Sequence, residues 1–406
     1  MHKLLQINSV VNSGSTGRIA EQINKKAIEN NWSSYIAYGR FANKSTAKLI
    51  KVGTKKDFYF HIFKSFVLGQ HGLASKEATL VLIESIKNIN PDIIHLHNIH
   101  GYYLNYEILF EFLKDFKGKI VWTLHDCWSF TGHCTYFSDI NCTKWISGCE
   151  NCPKVKNYPS SLIFDTSKSA YFLKKSNFSN LKNLQIVTVS NWLQSLVSKS
   201  FLKDHPVQTI HNGVDLQIFD LKERNQNLLN KYHLSDKFVM LAAATSWSKH
   251  KGFDDYLKLA SFLAKDEVLI LIGLSQEIIK ILPLNVIGIS KTESQEELAD
   301  WYNSTHVVLN LSYQETFGMT SVEGFACGKP TIVYNATASP ELVSREELGY
   351  IIEPGNVSEV YDAVKKIKKN GQTFYSKSCR NTALENYNMD VQYQKYVALY
   401  ENLITS

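Results

Sequence analysis

The sequence predicts an α/β chain built from two doubly wound parallel sheets, and three observations carry that prediction. Short apolar runs alternate with helix-period segments through both halves of the chain. The runs are continuously apolar, which is the pattern of central parallel strands buried on both faces. Finally, 406 residues that are 44% hydrophobic and 20% charged fit two cores better than one.

In the first half LLQINSVV reads as a strand, GRIAEQINKKAIEN as a helix and SSYIAYG as the next strand. DIIHLHN, the helical LNYEILFEFLKDF and KIVWTLHD continue the alternation. After a cysteine-rich excursion, LQIVTVS and VQTIHNG close the half, with the helical NWLQSLVSKS between them. Strand and helix in regular alternation require right-handed crossovers and a parallel sheet covered on both sides.

The second half repeats the pattern. KFVMLAAAT, VLILIG, NVIGIS, HVVLNLS and PTIVYN are strands, separated by FDDYLKLASFLA, SQEELADWYNS and the helix that holds Glu323. The predicted domains are 1–207, carrying a cysteine-rich insert at 127–153, and 208–386. A helical tail at 387–406 is expected to pack back on the first domain. Ligands of such sheets bind beyond the carboxyl ends of the strands, so two facing domains make a cleft.

Charge and composition narrow the function. The net charge of +6 arises from 44 basic and 38 acidic residues with no block of one sign. That balance suits an anionic small molecule and gives no reason to expect a nucleic-acid partner. No apolar run reaches the ~18 residues of a bilayer span. MHKLLQINSVVNSG reads as a first strand and not as a secretion signal. The expected location is cytoplasmic, at the inner face of the plasma membrane if the acceptor is lipid-linked. KKDFYFHIFKSFVLGQHG, residues 55–72, mixes lysines with aromatics and is the candidate for peripheral membrane contact.

NSGSTGRIA follows the first strand. Gly14 and Gly17 let backbone approach a ligand, Ser15 or Thr16 is expected to cap the helix, and Arg18 lies in its first turn. Such a turn presents N–H groups and a dipole end to phosphate. His125 and Asp126 stand where a strand meets the cleft, the place for a residue that touches a sugar hydroxyl or orients a reacting group. His95 and His97, without a strand-end acid, read as packed histidines.

SWSKHKGFDD follows the first strand of the second half and sets Lys249 and Lys251 at a turn with Gly252, which suits a diphosphate. YQETFGMTSVEGFACGKP is a strand-end loop feeding a helix. Glu315 points from the loop; Thr316, Phe317, Gly318 and Met319 form the helix entry, whose N–H groups serve phosphate. Glu323 lies about one turn inside, where a carboxylate accepts from ribose hydroxyls.

Taken together these motifs resemble the retaining glycosyltransferases of family 4, with the GT-B fold of two Rossmann-like domains. The resemblance rests on Glu315-Thr316-Phe317-Gly318 with Glu323 eight residues on, the glycine-rich first loop, Thr123 to Asp126, Val189-Ser190, and Ile210 to Asp215. It implies transfer of a sugar from a nucleoside diphosphate-sugar to a glycan or lipid-linked acceptor, with no obligatory catalytic metal. By that resemblance Glu323 holds the ribose, Glu315 the donor sugar and Lys251 the diphosphate, with His125 near the reaction centre. Ser246 departs from the arginine the family usually carries five residues before the Lys-Gly, so Lys249 or Arg18 is expected to share the phosphates. Two other classes fit the fold: a nucleotide-sugar epimerase or phosphorylase, and a nucleotide-sugar-binding protein without transferase activity.

Five of the seven cysteines fall within 26 residues. Cys149-x2-Cys152 has a metal-knuckle spacing, and Cys134, Cys142 and His133 are further ligand candidates for a structural zinc; free buried cysteines or partial disulfides are the alternative. Because the insert leaves the first domain on the cleft side, it is also expected to shape the acceptor pocket.

Overall fold

A computed structural model gives the structure of the chain and describes residues 1–405. The chain divides into two compact units, Met1–His211 with Gln392–Ser406, and Asn212–Val391.

The first unit holds β1 (Lys3–Asn8), α1 (Gly14–Glu29), β2 (Ser33–Tyr38), β3 (Lys48–Lys51), α2 (Lys55–Leu68), α3 (Lys76–Ile89) and β4 (Ile93–Leu96). It continues with α4 (Tyr106–Asp115), β5 (Lys119–Leu124), α5 (Ser167–Phe178), β6 (Leu184–Thr188), α6 (Asn191–Val197) and β7 (Val207–Thr209). The strands pair in parallel in the order β3-β2-β1-β4-β5-β6-β7. Leu4, Leu5 and Ile7 on β1 and Ile93, Ile94 and Leu96 on β4 are fully buried, as central strands with helices on both faces require.

The second unit holds α7 (Gln226–Lys231), β8 (Phe238–Ala243), α8 (Phe253–Ala260), β9 (Glu267–Ile272), α9 (Gln276–Ile279) and β10 (Val286–Ile289). It continues with α10 (Gln295–Ser304), β11 (Val307–Asn310), α11 (Met319–Ala326), β12 (Thr331–Tyr334), β13 (Gly349–Ile352), α12 (Val357–Asn370) and α13 (Gln372–Asn386). Its sheet order is β10-β9-β8-β11-β12-β13, all parallel. Counted from its own first strand this is the order of the first six strands of the other unit, so the two halves repeat one winding. In each, strand order reverses once, between β1 and β4 and between β8 and β11. Such switch points open a crevice at the strand ends.

The last helix, α14 (Met389–Thr405), sends Tyr400 and Tyr396 onto the first sheet. The Tyr400 hydroxyl meets His95 Nδ1 at 2.6 Å and the Tyr396 hydroxyl accepts from Thr123 Oγ1 at 3.3 Å. His95 is buried and its Nε2 bonds Thr123 Oγ1 at 2.7 Å, so it is a packing residue, as its sequence setting indicated.

Candidate active site

In the second unit the turn after β8 and the loop after β11 meet at the switch point. The turn Lys249–Lys251 ends on Gly252, whose φ of 71° is left-handed. A Cβ there would lie 2.1 Å from the Leu311 carbonyl oxygen, so glycine lets the turn lie directly on the end of β11. The Tyr313 N–H donates to the His250 carbonyl at 2.9 Å and joins the two segments. Tyr256, fully buried on α8, braces the same place: its hydroxyl donates to Leu309 O at 3.0 Å and accepts from the Leu311 N–H at 2.9 Å.

That bracing brings Lys251 to Glu315. The Lys251 Nζ donates to Glu315 Oε2 at 2.7 Å, with side chains 35% and 18% exposed. The backbone of Glu315 is fixed as well, its N–H donating to Thr337 Oγ1 at 2.9 Å and its carbonyl accepting from the Ala338 N–H at 3.2 Å. The sequence assigned Lys251 to phosphate and Glu315 to sugar; in this structure the two neutralise one another.

α11 opens at Met319 with Gly318 as its N-cap, at φ 102° and with no side chain capping the first turn. Its leading N–H groups are therefore a place for an anion, as P-loop-like helix entries are. Thr316 and Phe317 are buried beneath the loop. One turn on, the half-buried Glu323 accepts from the Tyr302 hydroxyl at 2.7 Å. Burial and the Glu323 carboxylate both hold the Tyr302 phenol protonated, its pKa well above the usual value. Lys249 is exposed on the turn, and Ser246 is exposed ahead of it.

In the first unit α1 starts at Gly14 with Ser13 as its N-cap, so Ser15 and Thr16 lie inside the first turn and do not cap the helix. The cap shifts because Gly14, at φ 59°, already turns the chain into the helix. Gly17 serves packing: a Cβ would stand 3.0 Å from Val10 Cγ2 and 3.2 Å from the Asn12 nitrogen. Gly14, Ser15 and Arg18 are exposed at this helix entry.

At the ends of β4 and β5 the histidines form a chain. The Gln6 amide nitrogen donates to Ala20 O at 2.9 Å, which leaves its carbonyl to accept from His97 Nε2–H at 2.9 Å. Neutral His97 then accepts at Nδ1 from His125 Nε2–H, 3.1 Å away. Burial pushes His97 well below the ordinary histidine value and His125 to about 4, so both rings are neutral at pH 7. His125 is thereby left with its Nδ1 lone pair, an acceptor for a hydroxyl.

Asp126 does not pair with His125. It binds His100 Nε2 at 2.9 Å and accepts from the Trp128 N–H at 2.9 Å, while His100 Nδ1 meets the Tyr158 hydroxyl at 3.1 Å. Burial raises the Asp126 carboxyl, but His100 and the Trp128 N–H outweigh it and hold it below its usual value. His100, which holds Asp126, was not singled out in the sequence. The signal was its place three residues past His97 in HNIHGYY.

Trp128, Gly132 and His133 of the cysteine-rich segment help to line a cavity of about 220 Å³ with His71 and Lys174. The buried Lys174 Nζ donates to Trp128 O at 2.8 Å and Thr131 O at 3.0 Å and lies 3.5 Å from the Trp128 ring centroid. Burial lowers it to about 7. All seven cysteines are free. The neighbouring Cys152 and burial raise the Cys134 thiol, while Cys134 lowers Cys152. The Gly132 N–H donates to Cys149 Sγ at 3.2 Å. Among the described residues no group of three or more His, Cys, Asp or Glu is arranged to hold a metal ion, so the zinc expected on Cys134, Cys142, Cys149 and Cys152 gains no support from this arrangement.

Two parallel sheets wound in one order give the chain the architecture of the GT-B fold. Residues 51–218 match Glycosyltransferase Family 4 and residues 224–386 match Glycosyl transferases group 1, together about four-fifths of the chain. The chain belongs to glycosyltransferase family 4. It is 25% identical to the putative colanic acid biosynthesis glycosyl transferase WcaC of Escherichia coli K12 over 52% of this chain and 55% of that protein. The match thus spans little more than half the length of that relative. In fold it is similar to sucrose-phosphate synthase of Thermosynechococcus elongatus, with a TM-score of 0.72, 14% identity and full coverage of both chains. It is likewise similar to Anabaena HepE, solved in complex with UDP, with a TM-score of 0.67, 14% identity and coverage of 99% and 100%.

Proposed function

We propose that the protein is a retaining glycosyltransferase that moves a sugar from a nucleoside diphosphate-sugar to a glycan or lipid-linked acceptor in cell-surface polysaccharide synthesis. The observation that carries this reading is the row Lys251–Glu315, the uncapped entry of α11, and Glu323. A nucleoside diphosphate-sugar needs those functions in that order: an acceptor for sugar hydroxyls, cation and N–H donors for the diphosphate, and an acceptor for ribose. The family membership and the WcaC relative support transfer, and the UDP complex of HepE supports a nucleotide donor.

In the reaction the bond from the anomeric carbon to the diphosphate oxygen breaks, a bond to the acceptor hydroxyl oxygen forms on the same face of the ring, and the hydroxyl proton passes to the departing diphosphate. Negative charge grows on the departing diphosphate. On binding, the diphosphate takes Lys251 from Glu315, which frees the Glu315 carboxylate for sugar hydroxyls. Lys249 and the α11 entry add fixed positive potential, and Arg18 with the Gly14–Gly17 turn offers the first unit's own anion site. Donors that need not reorganise contribute roughly 3–4 kcal/mol each in oxyanion sites of this type. The neutral His125, with its Nδ1 lone pair, is the first unit's own acceptor for a sugar hydroxyl. A direct transfer assay with a panel of nucleotide-sugars and a lipid-linked glycan acceptor tests the reading. Formation of a glycosylated product supports it, and an epimerised sugar nucleotide or tight binding with no turnover refutes it.

A further inference from the structure

α2 is folded inside out. The residues it buries are polar, His61 and Ser65, while its aromatic residues Tyr59, Phe60 and Phe63 are each more than half exposed. The buried face explains itself: His61 Nδ1 bonds Ser75 Oγ at 2.8 Å and its Nε2 accepts from the Gly72 N–H at 3.0 Å. The exposed face is left to solvent.

A second apolar segment lies beside it. The Leu162 N–H donates to the Phe66 carbonyl at 2.8 Å, and Thr166 Oγ1 donates to Gly69 O at 2.7 Å. These bonds hold residues 162–166 along the C-terminal half of α2. Leu162, Ile163 and Phe164 are each more than half exposed as well. Six large apolar side chains on two tied segments make a patch, and a patch of that kind marks an interaction surface.

The charges around it select the occupant. Lys55 and Lys56 are exposed at the start of α2, and Lys64 lies 5.0 Å from the centroid of the Phe60 ring; among the described residues none of the three pairs with a carboxylate. The nearby acids are already engaged by the backbone, Asp57 in the Thr54 capping box and Asp165 by the N–H groups of Cys152 and Ser167. Aromatics framed by unpaired lysines fit an anionic lipid surface, where rings sink to the headgroup level and ammonium groups meet phosphate. A twofold contact with a second copy would instead set these lysines against themselves. Among the described residues no helix is long and apolar enough to cross a membrane, so α2 would lie on the surface.

We propose that the face formed by α2 and residues 162–164 docks on an anionic lipid bilayer. The test is co-sedimentation of the full chain with vesicles of phosphatidylcholine doped with phosphatidylglycerol, and with pure phosphatidylcholine. The unsubstituted chain partitions onto the anionic vesicles, and at least ~10-fold less onto the neutral ones. The double variant Phe60→Ser/Ile163→Ser, both at exposed positions and checked by circular dichroism, loses roughly tenfold or more of the partition. The proposal is overturned if the unsubstituted chain stays in the supernatant, or if the double variant binds anionic vesicles as well as it does. A lipid-free dimer on gel filtration that the same double variant abolishes also overturns it, in favour of a self-interface. Because no donor sugar is needed, this test stands apart from the transferase reading.

Discussion

Lys251 and Glu315, 64 positions apart, are joined by a 2.7 Å ion pair at the reversal point of the second sheet. The pair is partly exposed, so it contributes little to stability, about 1 kcal/mol or less. Its value is positional: a cation and a carboxylate stand side by side until an anionic donor separates them. Lys251→Ala is therefore expected to lower turnover by two or more orders of magnitude while shifting Tm only slightly. Initial-rate measurement of transfer together with a melting curve checks both halves of the statement, and a fully active variant would sink the assignment.

Tyr302 orients Glu323. Its hydroxyl donates to the carboxylate from a fully buried position on α10. Tyr302→Phe removes that donor with little change in volume, at a stability cost of about 1 kcal/mol. We expect the KM for the donor to rise severalfold with a smaller effect on kcat, because the ribose contact is made in ground and transition states alike. A kcat loss with an unchanged KM would place Glu323 elsewhere in the reaction.

Gly252 seats the lysine turn on β11. With φ at 71° and the Leu311 carbonyl oxygen 2.1 Å from where a Cβ would stand, Gly252→Ala has both a backbone and a steric cost. We expect more than ~2 kcal/mol of destabilisation and loss of donor binding, measured by denaturant titration and calorimetry. A variant as stable as the parent chain would show that the turn can move off the strand.

The buried histidines set a pH dependence. The folded chain holds His125 and His61 down at about 4 by burial, against an ordinary value of 6.5 in the unfolded chain. Between those values the unfolded state binds more protons, so stability falls as pH drops from about 6.5 towards 4 and is flat above. Tm measured from pH 7.5 to pH 4.5 should show that decline, and His125→Gln should make it shallower. An unchanged slope in that variant would mean that His125 is charged in the folded protein.

Much of this was legible in the sequence, and the gaps have physical causes. Strands such as β4, β9 and β12 are buried on both faces and announce themselves as apolar runs. β3 went unseen because it is an exposed edge strand bracketed by Lys48 and Lys51, where solvent and not packing sets the composition. α5 was hidden because its inward face carries Lys174 and Asn177 in place of a clean apolar stripe. At the site, Glu315 and Glu323 stood out through their spacing. The Lys251–Glu315 pair did not, since it depends on two loops meeting at a switch point. Asp126 suggested a partner next door in His125, yet the fold gives it His100, which only the return of the chain after β4 brings within reach.

Lys251, Glu315 and Glu323 are proposed to hold a nucleoside diphosphate-sugar. The most direct measurement is calorimetric titration of the full chain, and of Lys251→Ala and Glu323→Ala, with a panel of uridine, guanosine, adenosine and thymidine diphosphate-sugars. One donor is expected to bind the unsubstituted chain, and each substitution is expected to weaken that binding by roughly tenfold or more, the loss of a charge-assisted contact. Equal affinity across all three proteins, or no binding by any donor of the panel, would contradict it.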